Sequence, residues 1–235
     1  MEIQISKKIT KPKIIQGFPG FGLIGTIATE FLIEHLNAEK IGSFIYDEIP
    51  PTVAIHKEKL VDPMGIFYDK EYNLVILHTI LNSNGLEWKI SEKILKMVDD
   101  LNATEIISLE GVSSPSVTES EKVFFFTEDE KTKNKLKELG LEPLKESIIV
   151  GVSGALMLRS KVPLTCFFAE TKSQIPDSKA ASNIIKALDD YLGLKVDYQP
   201  LLKQAEEFEN KFKTILKQSS TTMKERDKKQ MSYFG

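Results

Sequence analysis

Apolar residues in this chain follow two patterns, short continuous runs and longer stretches with helical spacing. The short runs predict strands at 13–18, 43–47, 73–81, 104–112, 122–127 and 162–170. The longer stretches predict helices at 23–36, 87–101, 130–139, 178–192 and from about 198 onward. Several strands are apolar at every position, as expected for strands covered on both faces. The pattern therefore predicts a three-layer α/β domain, in which helices flank a mostly parallel or mixed central sheet.

The segment 51–69 departs from this alternation of strands and helices. Val53 and Ile55 are separated by one residue, and the tripeptide Pro-Met-Gly at 63–65 is typical of a turn. This segment therefore predicts short antiparallel strands rather than a helix.

The C-terminal region changes character near residue 216. Before that point, apolar residues recur at spacings of four and three and predict a helix packed along one face; they are Leu201, Ala205, Phe208, Phe212 and Ile215. After it, apolar residues nearly vanish until the last three positions. We expect one domain over 1–216, which includes this C-terminal helix, and a solvated, flexible tail over 217–235.

Composition narrows the classes of function. The net charge of -3 gives no electrostatic reason to expect binding to nucleic acid or to an anionic membrane. No apolar stretch is long enough to span a bilayer, and the N-terminal residues lack the apolar core of a secretion signal. Cys166 is the single cysteine, so an intramolecular disulfide is impossible. We expect a cytoplasmic protein.

The most conspicuous motif is the glycine-rich stretch 13-KIIQGFPGFGLIG-25. Gly20, Gly22 and Gly25 spell G-x-G-x-x-G between a predicted strand and a predicted helix, and Asp47 lies where a ribose-binding acid would stand. A dinucleotide-binding unit, however, needs a helical crossover after its second strand. The Pro-Pro and hairpin-like pattern that follows Asp47 does not provide one, which favours a role for the glycines in turning and close packing.

A few polar residues mark a candidate pocket at the ends of the predicted strands. Glu110 and Glu170 each end a strand, and Ser153 lies in an incomplete G-x-S-x-G pattern, with Ala155 in place of the second glycine. The two carboxylates could act as an acid–base pair, or they could simply cap helices or pair with basic side chains. Together with Gly20 and Gly22 these residues form the candidate pocket. No cluster of His, Cys and Asp indicates a metal site.

Several stretches together resemble one family. They are 17-GFPGFGLIG-25, 48-EIPPTVAI-55, 108-SLEGV-112, 151-GVSGALML-158 and 169-AETKSQIPDSKAA-181. Over roughly residues 12 to 210, this pattern is similar to the proteasome assembly chaperones, specifically the archaeal homologues of the second subunit of the eukaryotic chaperone pair. The resemblance implies a fold distantly like that of the nucleoside phosphorylases, a homo-oligomer, no cofactor and no established enzymatic activity.

The resemblance also gives a meaning to the last three residues. Some assembly chaperones and proteasome activators end in a hydrophobic–tyrosine–any-residue motif, which docks in pockets between neighbouring proteasome α-subunits. Matched position by position, Tyr233 is the hydrophobic residue, Phe234 replaces the tyrosine, and Gly235 supplies the terminal carboxylate. Phenylalanine keeps the aromatic ring but lacks the hydroxyl donor.

Two functions follow from these observations. The first is an ATP-independent, non-enzymatic chaperone for proteasome assembly, whose partners are proteasome α-subunits or the assembled 20S proteasome. The alternative is an enzyme that binds a small molecule or nucleotide in the pocket around the Gly20–Gly25 loop.

Overall fold

The computed structural model describes residues 1–46, 48, 53–56, 58–80, 84–113, 122–171 and 175–203. The strands are β1 Glu2–Ile5, β2 Lys13–Gly17, β3 Glu39–Ile45, β4 Ala54–His56, β5 Lys59–Val61, β6 Met64–Asp69, β7 Leu74–Thr79, β8 Glu105–Ser113, β9 Val123–Thr127, β10 Glu142–Pro143 and β11 Leu164–Thr171. The helices are α1 Ile24–His35, α2 Glu87–Leu101, α3 Glu130–Glu138, α4 Gly151–Arg159, α5 Ser178–Leu192 and α6 Gln199–Lys203.

Nine of the described strands form one mixed sheet in the order β1-β3-β6-β7-β2-β8-β11-β9-β10. The four central strands, β7, β2, β8 and β11, run parallel to one another. Antiparallel pairs extend the sheet from β7 through β6 and β3 to β1, and from β11 to β9. The predicted α/β class with a mixed central sheet is confirmed.

Helices cover both faces of this sheet, which accounts for the continuous apolar strands. On one face, α1, α3 and α5 pack against Ile15, Ile107 and Phe167. On the other, α2 and α4 pack against Ile14 and Ile106. Alternate residues of the central strands therefore enter different cores, and a polar residue in such a strand is buried against helices.

Local capping explains where two of the predicted helices begin and end. Asp129 and Asp177 accept hydrogen bonds from the backbone N–H groups of Thr132 and Ala180, in the first turns of α3 and α5. Gly193, with a φ of 70°, terminates α5 in the left-handed conformation that glycine adopts most easily. The helix expected from about 198 begins as α6, and the residues from Ala205 to Ile215 lie outside the described part of the chain.

The structure differs from the sequence-based expectation in several places, and strands β1 and β10 were not predicted. Strand β3 begins at Glu39, four residues before the predicted 43–47 run. The predicted antiparallel pairing within 51–69 is present as β4 and β5, but the turn predicted at 63–65 is wrong because Met64 and Gly65 open β6. Helix α4 was not predicted, and Ser153 lies within its first turn.

Candidate functional site

The glycine motif forms a tight junction between the end of β2 and the start of α1. Gly22 has a φ of 63°, a left-handed conformation that most residues adopt with difficulty. Gly25 packs directly on the backbone, since a Cβ at this position would lie 2.2 Å from the carbonyl oxygen of Leu109 and 2.9 Å from the Cα of Gly17. These two glycines therefore permit a turn and a close helix–strand contact.

The strand order also argues against a dinucleotide-binding unit. In such a unit, the strand that follows the first helix lies next to the first strand. Here β3 follows α1, but β6 and β7 separate it from β2. Asp47, the candidate ribose-binding acid, lies outside the described residues.

A buried polar network lies beneath the same loop, on the sheet face covered by α2 and α4. Gln16 and Ser108 are register partners on β2 and β8, and Glu110 follows two residues after Ser108 on the same face. Helix α4 brings Ser153 to this group. The Gln16 Nε2 donates to the Ser108 Oγ at 2.6 Å and to the Ser153 Oγ at 2.8 Å.

Both serine hydroxyls donate onward to the same carboxylate oxygen. The Ser108 Oγ lies 3.3 Å from Glu110 Oε1, and the Ser153 Oγ also donates to Oε1. Burial raises the pKa of Glu110 to about 7, although these two hydrogen bonds favour the ionised form. Glu110 is therefore a carboxyl group that changes its charge near neutral pH.

A cavity of about 590 Å³ opens in front of this carboxyl group. Its described walls come from the glycine loop, the end of β8 and the segment that leads into α4, and they include Gly20, Phe21, Glu110, Val150 and Phe168. A Cβ at Gly20 would lie 3.7 Å from Glu110 Oε2, so this oxygen faces the loop.

The structure brings together only part of the candidate pocket predicted from the sequence. Gly20 and Glu110 line the cavity, and Ser153 lies behind Glu110 as its hydrogen-bond donor. Gly22 is directed elsewhere, because a Cβ there would meet the Thr171 hydroxyl at 3.1 Å. Glu170 lies on β11 beyond Phe168 and is absent from the described lining of the cavity.

Gln16 is the member of the network that the sequence interpretation missed. Its amide is fully buried, and its Oε1 accepts no hydrogen bond from the described residues. The sequence could have indicated Gln16, because a polar amide within the apolar run 13–18 would be buried and would need hydrogen-bond partners.

A second concave surface, here named the α4 groove, borders the same 147–151 segment and has a volume of about 590 Å³. Four large apolar side chains line it and are exposed by 38% to 76%; they are Trp88, Phe126, Val150 and Leu158. The guanidinium carbon of Arg159 lies 4.4 Å from the centroid of the Trp88 ring. Such a cluster of exposed apolar groups is typical of a surface that contacts another protein.

Comparison with known proteins identifies the family of this chain. The sequence model of the PAC2 family matches residues 14–216. The chain belongs to the PAC2 family. This match, together with the solved structures of similar proteins, confirms the resemblance seen in the sequence to archaeal homologues of a proteasome assembly chaperone.

Solved PAC2-like structures share the fold over nearly the whole chain. PbaA from Pyrococcus furiosus, described as an archaeal homolog of proteasome-assembly chaperone, is 28% identical, with a TM-score of 0.84 over 94% of this chain and 100% of PbaA. PbaB from the same organism, described as an archaeal proteasome activator, is 27% identical, with a TM-score of 0.74 over 91% of this chain and 98% of PbaB. The uncharacterized protein MJ0106 of Methanocaldococcus jannaschii is 29% identical over 94% of this chain and 92% of its own length.

Three further observations concern the other predicted sites of this PAC2 chain. Tyr233, Phe234 and Gly235 lie outside the described residues. Within the described ranges, no group of three or more His, Cys, Asp or Glu side chains could hold a metal ion. The described helices include none that is both long and apolar enough to cross a membrane.

Proposed function

We propose that this PAC2 protein is an ATP-independent, non-enzymatic chaperone for proteasome assembly that works in the cytoplasm. Its partners would be proteasome α-subunits, free or assembled in the 20S particle. The observation that supports this most is the end-to-end match to PbaA, with 28% identity and a TM-score of 0.84.

The α4 groove supports a homo-oligomer as part of this proposal. Val150 and Leu158 are exposed by 74% and 76%, and burying such side chains against a second copy would remove apolar surface from water. We assign the groove to contacts between copies, which would place several C-terminal tails on one particle.

The C-terminal tail is the proposed contact with the proteasome. Tyr233 and Phe234 provide aromatic anchors after a polar stretch, and Gly235 would supply a carboxylate. Several tails on one oligomer would bind together, so their joint affinity would exceed that of a single tail.

Binding to purified proteasome α-subunits and to the 20S particle tests the tail. The full chain is compared with a chain lacking 230–235, with Phe234→Ala and with Phe234→Tyr, by surface plasmon resonance at one ionic strength. We expect the deletion and Phe234→Ala to abolish most binding. Phe234→Tyr should strengthen it, because the added hydroxyl can donate a hydrogen bond.

A fourth variant, extended by several residues after Gly235, tests the need for a free carboxylate at that position. It should behave like the deletion while keeping both aromatic rings. Binding that is equal in the full and truncated chains would reject tail docking. Absence of any binding by the full chain to both forms of the proteasome would reject the proposed function itself.

A further inference from the structure

The proposed chaperone function gives no role to the cavity in front of Glu110 or to the side chains that line it. Three aromatic rings belong to its described walls, those of Phe18, Phe21 and Phe168. It also contains two carboxyl groups, Glu87 and Glu110, and its described lining includes no Lys, Arg or His. Aromatic faces and carboxylates both attract positive charge, and a cavity lined in this way disfavours anions.

Glu110 is held in one orientation toward this space. Its Oε1 accepts from Ser108 and Ser153, which are themselves fixed by Gln16 on the covered side of the sheet. Its Oε2 is directed toward Gly20, which has no side chain to fill the intervening space. The carboxyl group is therefore pre-positioned by three polar side chains before any ligand arrives, which lowers the entropic cost of binding.

The same geometry excludes a phosphate-bearing ligand at this position. A phosphate beside Glu110 and Glu87 would meet two carboxyl groups and no basic side chain from the described lining. Such like-charge contacts oppose binding, and their effect is larger where water is excluded.

We propose that this cavity is a binding site for a small organic cation, an ammonium or amidinium group attached to a flat apolar body. The cationic N–H groups would donate to Glu110 Oε2, and the apolar body would lie against the phenylalanine rings. The described lining of this site includes no residue of the tail, and the proposed binding does not depend on the proteasome as a partner.

Benzamidine is a suitable probe because it combines an amidinium with a planar ring. Benzamide and benzoate have nearly the same shape, and they are neutral and anionic. Binding of each compound to the full chain is measured by isothermal titration calorimetry at pH 8, where the Glu110 carboxyl is mostly ionised. We expect benzamidine to bind, benzamide to bind at least about tenfold more weakly, and benzoate not to bind.

Two variants test whether benzamidine binds at this site. They change different parts of it, so a failure of one to fold leaves the other informative. Glu110→Gln removes the charge and should weaken benzamidine binding about tenfold or more. Gly20→Leu keeps the carboxyl group but fills the space in front of Oε2. Gly20 has a φ of -150°, an extended conformation open to any residue, so this variant should fold and lose binding.

Glu138→Gln is the matched control, because Glu138 is an exposed carboxylate on α3 that is absent from the cavity lining. It should bind benzamidine like the unchanged protein. The proposal is overturned if benzamidine does not bind at millimolar concentration, if benzoate binds as well as benzamidine, or if Gly20→Leu folds and retains full affinity. A loss of proteasome binding in the tail-deleted chain, with benzamidine binding unchanged, would separate the two sites.

Discussion

Glu110 couples the stability of this protein to pH through a single buried carboxyl group. Burial raises its pKa to about 7 from a usual value of 4.5. Between these two values the folded chain keeps a proton that the unfolded chain releases. The contribution of Glu110 to the free energy of unfolding is therefore greatest below about pH 4.5, and it is lost as the pH rises toward 7.

Glu110→Gln should remove this dependence, because glutamine is neutral at every pH and has nearly the same shape. We expect the free energy of unfolding of the variant, relative to that of the unchanged protein, to increase between pH 5 and pH 8. Urea denaturation at both pH values and at one protein concentration measures this difference. A difference that stays constant across the range would show that Glu110 is ionised in the folded chain throughout.

His78 is a second buried titratable residue. It is 3% exposed on β7, and its Nδ1 lies 3.0 Å from the hydroxyl of Thr29. Its Nε2 lies 2.9 Å from Glu30 Oε2 without the geometry of a hydrogen bond. Burial lowers the pKa of His78 to about 4. The neutral imidazole therefore stabilises the folded chain at pH values above the ordinary pKa of histidine, and this stabilisation is lost as the pH falls toward 4.

Among the secondary-structure elements, α1 lies in direct backbone contact with the sheet. Its second residue, Gly25, contacts the backbone of both β2 and β8, through Gly17 and Leu109. The helix axis therefore approaches the strands more closely than any residue with a Cβ would allow. The direction of the helix and the shape of the preceding loop are determined together.

Gly25→Ala should destabilise the protein by about 1–3 kcal/mol, because the new Cβ would overlap the carbonyl oxygen of Leu109. Gly20→Ala is the matched control in the same loop, since its Cβ would meet only ordinary contacts at 3.7 Å or more. Thermal unfolding of both variants checks the prediction. Equal shifts in Tm would mean that the helix adjusts freely.

Elements with strong local signals were predictable from the sequence. Helix α5 has a regular apolar period between Asp177 and Gly193, and both ends agree with the structure. Helix α4 was missed because Gly151 and Gly154 weaken the local preference for a helix, and because its outward residue Leu158 is apolar, which obscures the period.

The candidate site was predictable only in part, because its residues are far apart in the sequence. Glu110 could be singled out because it ends a strand, where α/β proteins commonly place functional groups. Its network joins Gln16 to Ser153 across 137 positions of sequence, and no local pattern encodes that contact. The separation of Gly22 from Gly20 likewise follows from the turn, which directs Gly22 toward Thr171.

For the whole molecule, the α4 groove makes a specific prediction about assembly. Leu158→Asp and Val150→Asp would introduce charges where we expect two copies to meet, and they should convert the oligomer to monomers. Both side chains are exposed in the single chain, so the fold should persist, as circular dichroism would show. Light scattering after size-exclusion chromatography measures the mass.

Ile175→Asp is the control for this experiment, because Ile175 is 59% exposed and is absent from the groove lining. It should leave the mass unchanged. A monomeric unchanged protein, or an oligomer that survives both groove variants, would contradict the assignment of the groove to contacts between copies.

The two edge strands of the large sheet restrict how such copies can join. At one border, β10 has only two residues, and Pro143 has no N–H group to offer a further strand. At the other, β1 has four residues, among them the exposed Glu2 and Gln4. Short, polar borders of this kind resist strand-by-strand growth into fibres. The association of copies proposed for this protein would then be left to side-chain surfaces such as the α4 groove, which can close into an assembly of finite size.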